Sequence, residues 1–460
     1  MEHSHLISLR LGFSTSEAAR IQKAGVKEFI SAQLEAPNKL DIPNFMAKSP
    51  KSLMEIQKLK KKVNKDRKEV NKINFMVSKV GYTWKAFIIQ RCFETENPLR
   101  EKINLFFHNH FVVSLQSVKV PYWIYQHYDT INSNSMGNYK TLVKEMVYSN
   151  AMLYYLNNER NRRGRINENL GRELLELFTL GEGHYSESDI KNAALSLAGL
   201  GIGKDKGKYI PKFKDKSTKT FMGKSGNFII DDVIDIIFEQ ENTAYFLSEK
   251  VLQWFYYDDP SDELIKHYGD ILKKNDFELK PFFEALFLTE SEKSNVGTHI
   301  KNPLEYIIQV YKDLNMEPNF KFMTYFVKNQ AMDLYDQPNV KGWKGGQSWL
   351  TTQIYADRNQ FMDIIINGNK RYEQQLMKKL KKYDFGKLQF NPSLEIKDMT
   401  DADTILHELT QKMIFETNDD MQSDLDELLK YDFDPSSENA GKSILNVYHY
   451  LSKTAEFQLI

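Results

Sequence analysis

The chain has 460 residues, with 62 Lys and Arg against 62 Asp and Glu, so no global field argues for a nucleic acid or an anionic partner, and no nucleic acid is expected. One cysteine, Cys92, excludes an internal disulfide framework and a cysteine-based zinc cluster. No window approaches the ~18 uncharged apolar residues of a bilayer-spanning helix, so the expectation is a protein that is not transmembrane.

In chain order, "MEHSHLISLRLGFSTSEAARI" lacks a basic region followed by an apolar run of signal-peptide length, which implies a cytoplasmic protein if Met1 is the native start. "SEAARIQKAGVKEFISAQLEA" then spaces apolar residues at three and four, a helical period. Residues 48–72 form a Lys-rich run with Leu53, Ile56, Leu59 and Val63 at helical spacing. A projecting helix with one packed stripe and a solvated face is expected there, because the run lacks the aromatics that stack nucleic-acid bases. Cys92, in "FIIQRCFETEN", reads as a small buried hydrophobe. "LREKINLFFHNHFVVS", "GNYKTLVKEMVYSNAMLYYLNN", "DDVIDIIFEQ", "TAYFLSEKVLQWFYY" and "TILHELTQKMIFE" keep the helical period. "NENLGRELLELFTLGEG" predicts a helix from about Glu168 to Leu180, stopped by Gly181. Ser186 ahead of Asp189, and the pair Asp231 and Asp232, mark helix starts. Between them, alternation and glycine punctuation near residues 208–228 predict a short β-hairpin or ordered loop. The fold class is mainly α, a single large multi-helical domain over residues 1–460 with surface elaborations.

Three polar concentrations stand out. On a regular helix, at about 100° per residue, Asn169, Arg172, Glu173 and Glu176 share one face, away from Leu170, Leu174 and Leu177. Two carboxylates in such surroundings need Arg172, another donor or a metal, since burying a lone carboxylate costs roughly several kcal/mol. His108 and His110 flank Asn109 among Phe106, Phe107 and Phe111. Residues i and i+2 point about 200° apart on a helix, so one histidine is expected to face a site and the other to tie helices together. A histidine among aromatics is more often a hydrogen-bonded core residue than a ligand. The third is "DQPNVKGWKGGQSWL", Asp336–Leu350, where Trp343 and Trp349 either line a substrate pocket or pin a rigid loop. Arg358 on the following helix is expected to return a charge toward that loop.

A metal, if one binds, would join His108 or His110 to Glu173 and Glu176, a set suited to one divalent transition metal. Without metal, two carboxylates in unequal environments suit a general acid and base. The plain structural alternative is an Arg-Glu-Asn network that braces helices.

These stretches together resemble the family called domain of unknown function 1800. The likeness rests on "LREKINLFFHNHFVVS", "NENLGRELLELFTLGEGHYSESDIKNAALSLAGL", "KTFMGKSGNFIIDDVIDIIFEQ", "DQPNVKGWKGGQSWL" and "AEFQL" in this order. The chain departs where the family usually has His-Asp and this one has Lys214 and Asp215, where Phe107 replaces a Trp, and where "AGLGIG" replaces Thr-Gly-Trp. The resemblance implies a bacterial protein, periplasmic or exported, acting near an alkaline phosphatase-like or sulfatase-like partner.

The resulting expectation is a hydrolase- or lyase-like enzyme of the cell envelope. Glu173, Glu176, Arg172, His108 and His110 are its catalytic candidates, and Trp343, Trp349, Asn169 and Arg358 its substrate-binding candidates. The alternative is a non-catalytic binding or assembly protein.

Overall fold

Helix after helix in the computed structural model starts at a side-chain cap and ends where the apolar stripe runs out. Residues 1–460 are described except 38, 64–65, 294–295, 369–373, 375–377, 379–384, 386–387 and 430–432. Ser52, Ser186, Ser261 and Thr351 each accept a hydrogen bond from a backbone N–H of the first turn they precede. Ser186 and Asp189 close a reciprocal capping box. The architecture is mainly α, with two small antiparallel two-stranded sheets.

Some apolar runs are split by a bend. Gly25, at φ 89°, separates Ala18–Ala24 from Val26–Glu35. The stretch 137–158 divides into Tyr139–Val147 and Asn150–Tyr155, where Ser149 is extended. The expected hairpin is Lys219–Phe221 paired with Lys224–Gly226, turned at Met222 and Gly223, both at positive φ, as a tight two-residue hairpin turn requires. A second small sheet pairs Leu200–Gly201 with Lys208–Tyr209.

A hydrophobic cluster extends from Ile7 to Phe457. Its ends are tied by polar groups that have left water. Lys102, 1% exposed, lies 2.6 Å from Glu305 and donates to the carbonyls of Leu9, Arg10 and Gly12. His299 and Ile460 exchange backbone hydrogen bonds, which fixes the C-terminal residues. The Lys-rich run becomes the Leu53–Lys62 helix and the start of the 28-residue Arg67–Glu94 helix; residues 64–65 of it lie outside the described set. Ile56 is buried and Leu53, Leu59 and Val63 are half-buried.

Candidate functional site

The first wall of the site comes from the Pro98–His110 helix, which opens on a proline at its first turn and stops as Phe111 leaves helical geometry. His108, 1% exposed, turns into the core. Its Nε2 accepts from the Tyr335 N–H at 3.2 Å, and its ring lies 4.0 Å from that of Tyr335. Burial holds it well below the usual imidazole range. His110 turns the other way. Its Nε2 lies 3.2 Å from the Phe178 carbonyl and 3.0 Å from the Tyr139 hydroxyl, which also donates to Phe178. A carbonyl only accepts, so Nε2 carries the proton and Nδ1 keeps its lone pair. Burial holds His110 down to about 4.

The backbone around the Phe178 carbonyl, which accepts from His110 and Tyr139, departs from a regular α-helix. Asn169–Glu173 is α-helical, but Leu174–Thr179 widens into a π-helix, in which the Leu180 N–H reaches the Leu175 carbonyl and the Thr179 hydroxyl reaches Leu174. Gly171 sits where a Cβ would come within 3.1–3.2 Å of the backbone of Ala194 and Ile190, so this segment packs backbone to backbone. The expected uninterrupted helix to Leu180, with four polar residues on one face, is therefore corrected. The wider turn re-aims Glu176 relative to the residues before it. π-turns recur at functional sites.

The polar residues part company accordingly. Asn169 is exposed. Arg172 forms a forked pair with Glu187, at 3.1 and 3.0 Å, and lies 3.7 Å from Glu168 on the surface, so it does not neutralise the two carboxylates expected of it. That part falls to Lys341, 3.4 Å from Glu176 and 3.0 Å from Glu182. Tyr185 donates to the other Glu176 oxygen at 3.1 Å. Glu173 is half-buried, and burial, then the charge of Glu176, raises its pKa against the opposing pull of Lys341 and Arg172.

Asp336–Leu350 supplies the second wall. Asp336 accepts from Ser114 at 2.7 Å and from the Gln116 N–H at 2.9 Å, and pairs with Lys85 at 2.8 Å. Gly342, at φ 84°, lies so close to Asn109 that a Cβ would sit 2.4 Å from its Oδ1. Trp254, on the Asn242–Phe255 helix, stacks on Trp343 with ring centres 6.5 Å apart and meets Trp349 edge-on at 6.2 Å. The loop is thus both pinned by its tryptophans and a cavity wall.

A cavity of about 790 Å³ opens between these elements. His110, Glu176, Trp343 and Trp349 line it, together with Asn109, Glu182, Glu249, Lys250, Trp254, Asp258 and Lys341. His108, Asn169, Arg172 and Glu173 do not. Neither does Arg358, which is fully buried and donates to Gln330, Gln458 and the Lys301 carbonyl, with its guanidinium 4.5 Å from the Tyr306 ring centre. Its side chain points to the core because those acceptors are there; burial lowers it to about 10. The metal candidates are likewise dispersed, with Nε2 of each histidine already engaged. Among the described residues no group of three or more His, Cys, Asp or Glu is arranged to hold a metal.

The His-Asn-His segment, the widened Glu-Leu-Phe-Thr turn and the Gly-Trp loop thus meet at one place, and a family model described as "Protein of unknown function (DUF1800)" matches residues 5–459. The chain belongs to this family. No curated protein and no solved structure matches it. In this DUF1800 protein, Asn109, Lys341, Tyr185 and Trp254 are site residues that sequence reasoning passed over. Asn109 and Lys341 stood inside quoted blocks, between the histidines and beside the first loop glycine, which was the available signal. Tyr185 and Trp254 also stood inside quoted blocks, but with only turn and helical context to mark them.

Proposed function

We propose that this protein is a hydrolase- or lyase-like enzyme working by general acid–base chemistry in the cavity. The observation that carries the reading is the convergence of Glu176, His110 and Trp343, from three remote parts of the chain, on one space of about 790 Å³. Glu176 is the base: it lines the cavity with one oxygen 3.4 Å from Lys341, and its partly buried side chain can take a proton from water or substrate. The Lys341 ammonium is also placed to hold negative charge that develops on the substrate. His110 is neutral near pH 7 and offers the Nδ1 lone pair to orient a hydroxyl or water. Glu173, raised by burial and by the charge of Glu176, lies outside the cavity lining and has a positioning role. Trp343 and Trp349 form an apolar wall against which the substrate rests.

A metal-assisted version loses its support from the dispersed donors among the described residues. A second reading, assembly beside an alkaline phosphatase-like or sulfatase-like envelope protein, draws on the resemblance and not on the cavity. Turnover of ester, amide, glycoside and uronate substrates by wild type and Glu176→Gln separates the two. Activity lost in the variant supports the enzyme, and activity indifferent to it removes Glu176 from the chemistry.

A further inference from the structure

Residues 48–79 carry eleven Lys and Arg against three Asp and Glu, in a chain whose total charge is zero. Val70, Ile73, Val77 and Val80 lie half-buried along one side of the Arg67–Glu94 helix. At about 100° per residue, Lys68, Lys72, Phe75 and Lys79 fall in a stripe on the opposite side, and all four are exposed. Phe75 is 70% exposed and Met76 beside it 42%. With Met54, 64% exposed on the neighbouring helix, they make up half of the exposed large hydrophobics among the described residues. A phenylalanine left in water among lysines does no packing within the fold, and apolar groups gathered this way mark an interaction surface.

We infer that this face docks on an anionic lipid surface, with Phe75 and Met76 entering the interfacial layer and Lys68, Lys72 and Lys79 meeting the headgroup phosphates. Lysines flanking a bulky apolar side chain satisfy both parts of such an interface, since their stems lie along the apolar zone while the ammonium stays with phosphate. Among the described residues, the acidic side chain paired to the stripe is Glu69, 2.6 Å from Lys72 at the surface. The cavity beside Trp343 and the one between Met1 and Gln422 are both lined by residues outside 53–94. Charge and an apolar tip suffice for lipid.

The test is co-sedimentation of the full chain with phosphatidylcholine vesicles with and without phosphatidylglycerol. The expected result is retention only on phosphatidylglycerol vesicles, lost at high salt, and lowered at least about tenfold by Lys68→Glu/Lys72→Glu/Lys79→Glu and less by Phe75→Ser. All four positions are exposed, and circular dichroism verifies that the variants fold. Wild-type protein that ignores anionic vesicles, or vesicle binding untouched by both variants, overturns the inference. So does retention on immobilised polyglutamate that matches vesicle binding and is indifferent to Phe75→Ser, which would assign the face to an acidic protein.

Discussion

The backbone N–H of Trp343 donates to Oδ1 of Asn109 across 2.8 Å, fastening the Gly-Trp loop to the end of the histidine-bearing helix. Asn109→Leu keeps the approximate size but leaves that N–H without its acceptor, a cost of about 1–3 kcal/mol. Urea unfolding should reveal the loss, and the Trp343 amide should exchange faster with deuterium. Unchanged exchange would mean that the loop is held by its tryptophans alone.

Gly342→Ala should destabilise by more than about 1 kcal/mol. Its φ is 84°, and the new Cβ would also meet the Asn109 backbone oxygen at 2.8 Å. Gly183, at φ 87° with nothing within 4 Å, is the control, since alanine there carries the strain without the clash. The thermal midpoint of Gly342→Ala is therefore expected to fall below that of Gly183→Ala.

The two arginines singled out in the sequence should behave oppositely. Arg172→Ala removes a solvent-screened surface pair and should leave the melting temperature close to wild type. Arg358→Met orphans the acceptors on Gln330, Gln458 and Lys301 in the core, at roughly 1–3 kcal/mol for each group left unpaired. Equal melting temperatures for the two variants would contradict this placement.

That contrast marks what the sequence could and could not carry. Helical class, the capping box at Ser186 and the 219–226 hairpin are local signals, and periodicity and turn chemistry report them directly. Whether an arginine faces water or core is not local: Arg172 and Arg358 both sit on helices with mixed neighbours, and only packing against remote Gln458 or nearby Glu187 decides. The π-turn at Leu174–Thr179 was hidden for a related reason. Its hydrogen bonds are stabilised by His110 and Tyr139 reaching the Phe178 carbonyl from other helices, so a regular 3.6-residue period was the natural reading. The opposed directions of His108 and His110 follow from helical spacing, whereas the choice of which one meets the cavity required the third dimension.

Stability should drain as the solution is acidified below neutrality. His110 and His127 are both held near 4 by burial, under the ~6.5 of a free imidazole. The unfolded chain therefore takes up protons that the folded chain refuses, so the stability is complete above about pH 6.5 and is lost as pH falls toward 4. Nε2–H of His127 donates to the Phe111 carbonyl at 2.9 Å while Ser149 meets its Nδ1, a neutral tautomer fixed on both sides. Urea midpoints at pH 7 and pH 5 should differ in wild type, and less so in His127→Gln. A steeper dependence in the variant would contradict the assignment.

The most direct test of the central claim is the turnover of Glu176→Gln beside wild type, on whichever hydrolase or lyase substrate wild type accepts, with both proteins verified as folded by circular dichroism. Glutamine keeps the shape and the Tyr185 contact but cannot act as the base, so a fall of about 10²-fold or more in kcat is expected. Wild-type kcat in the folded variant would contradict the claim that the cavity works through Glu176.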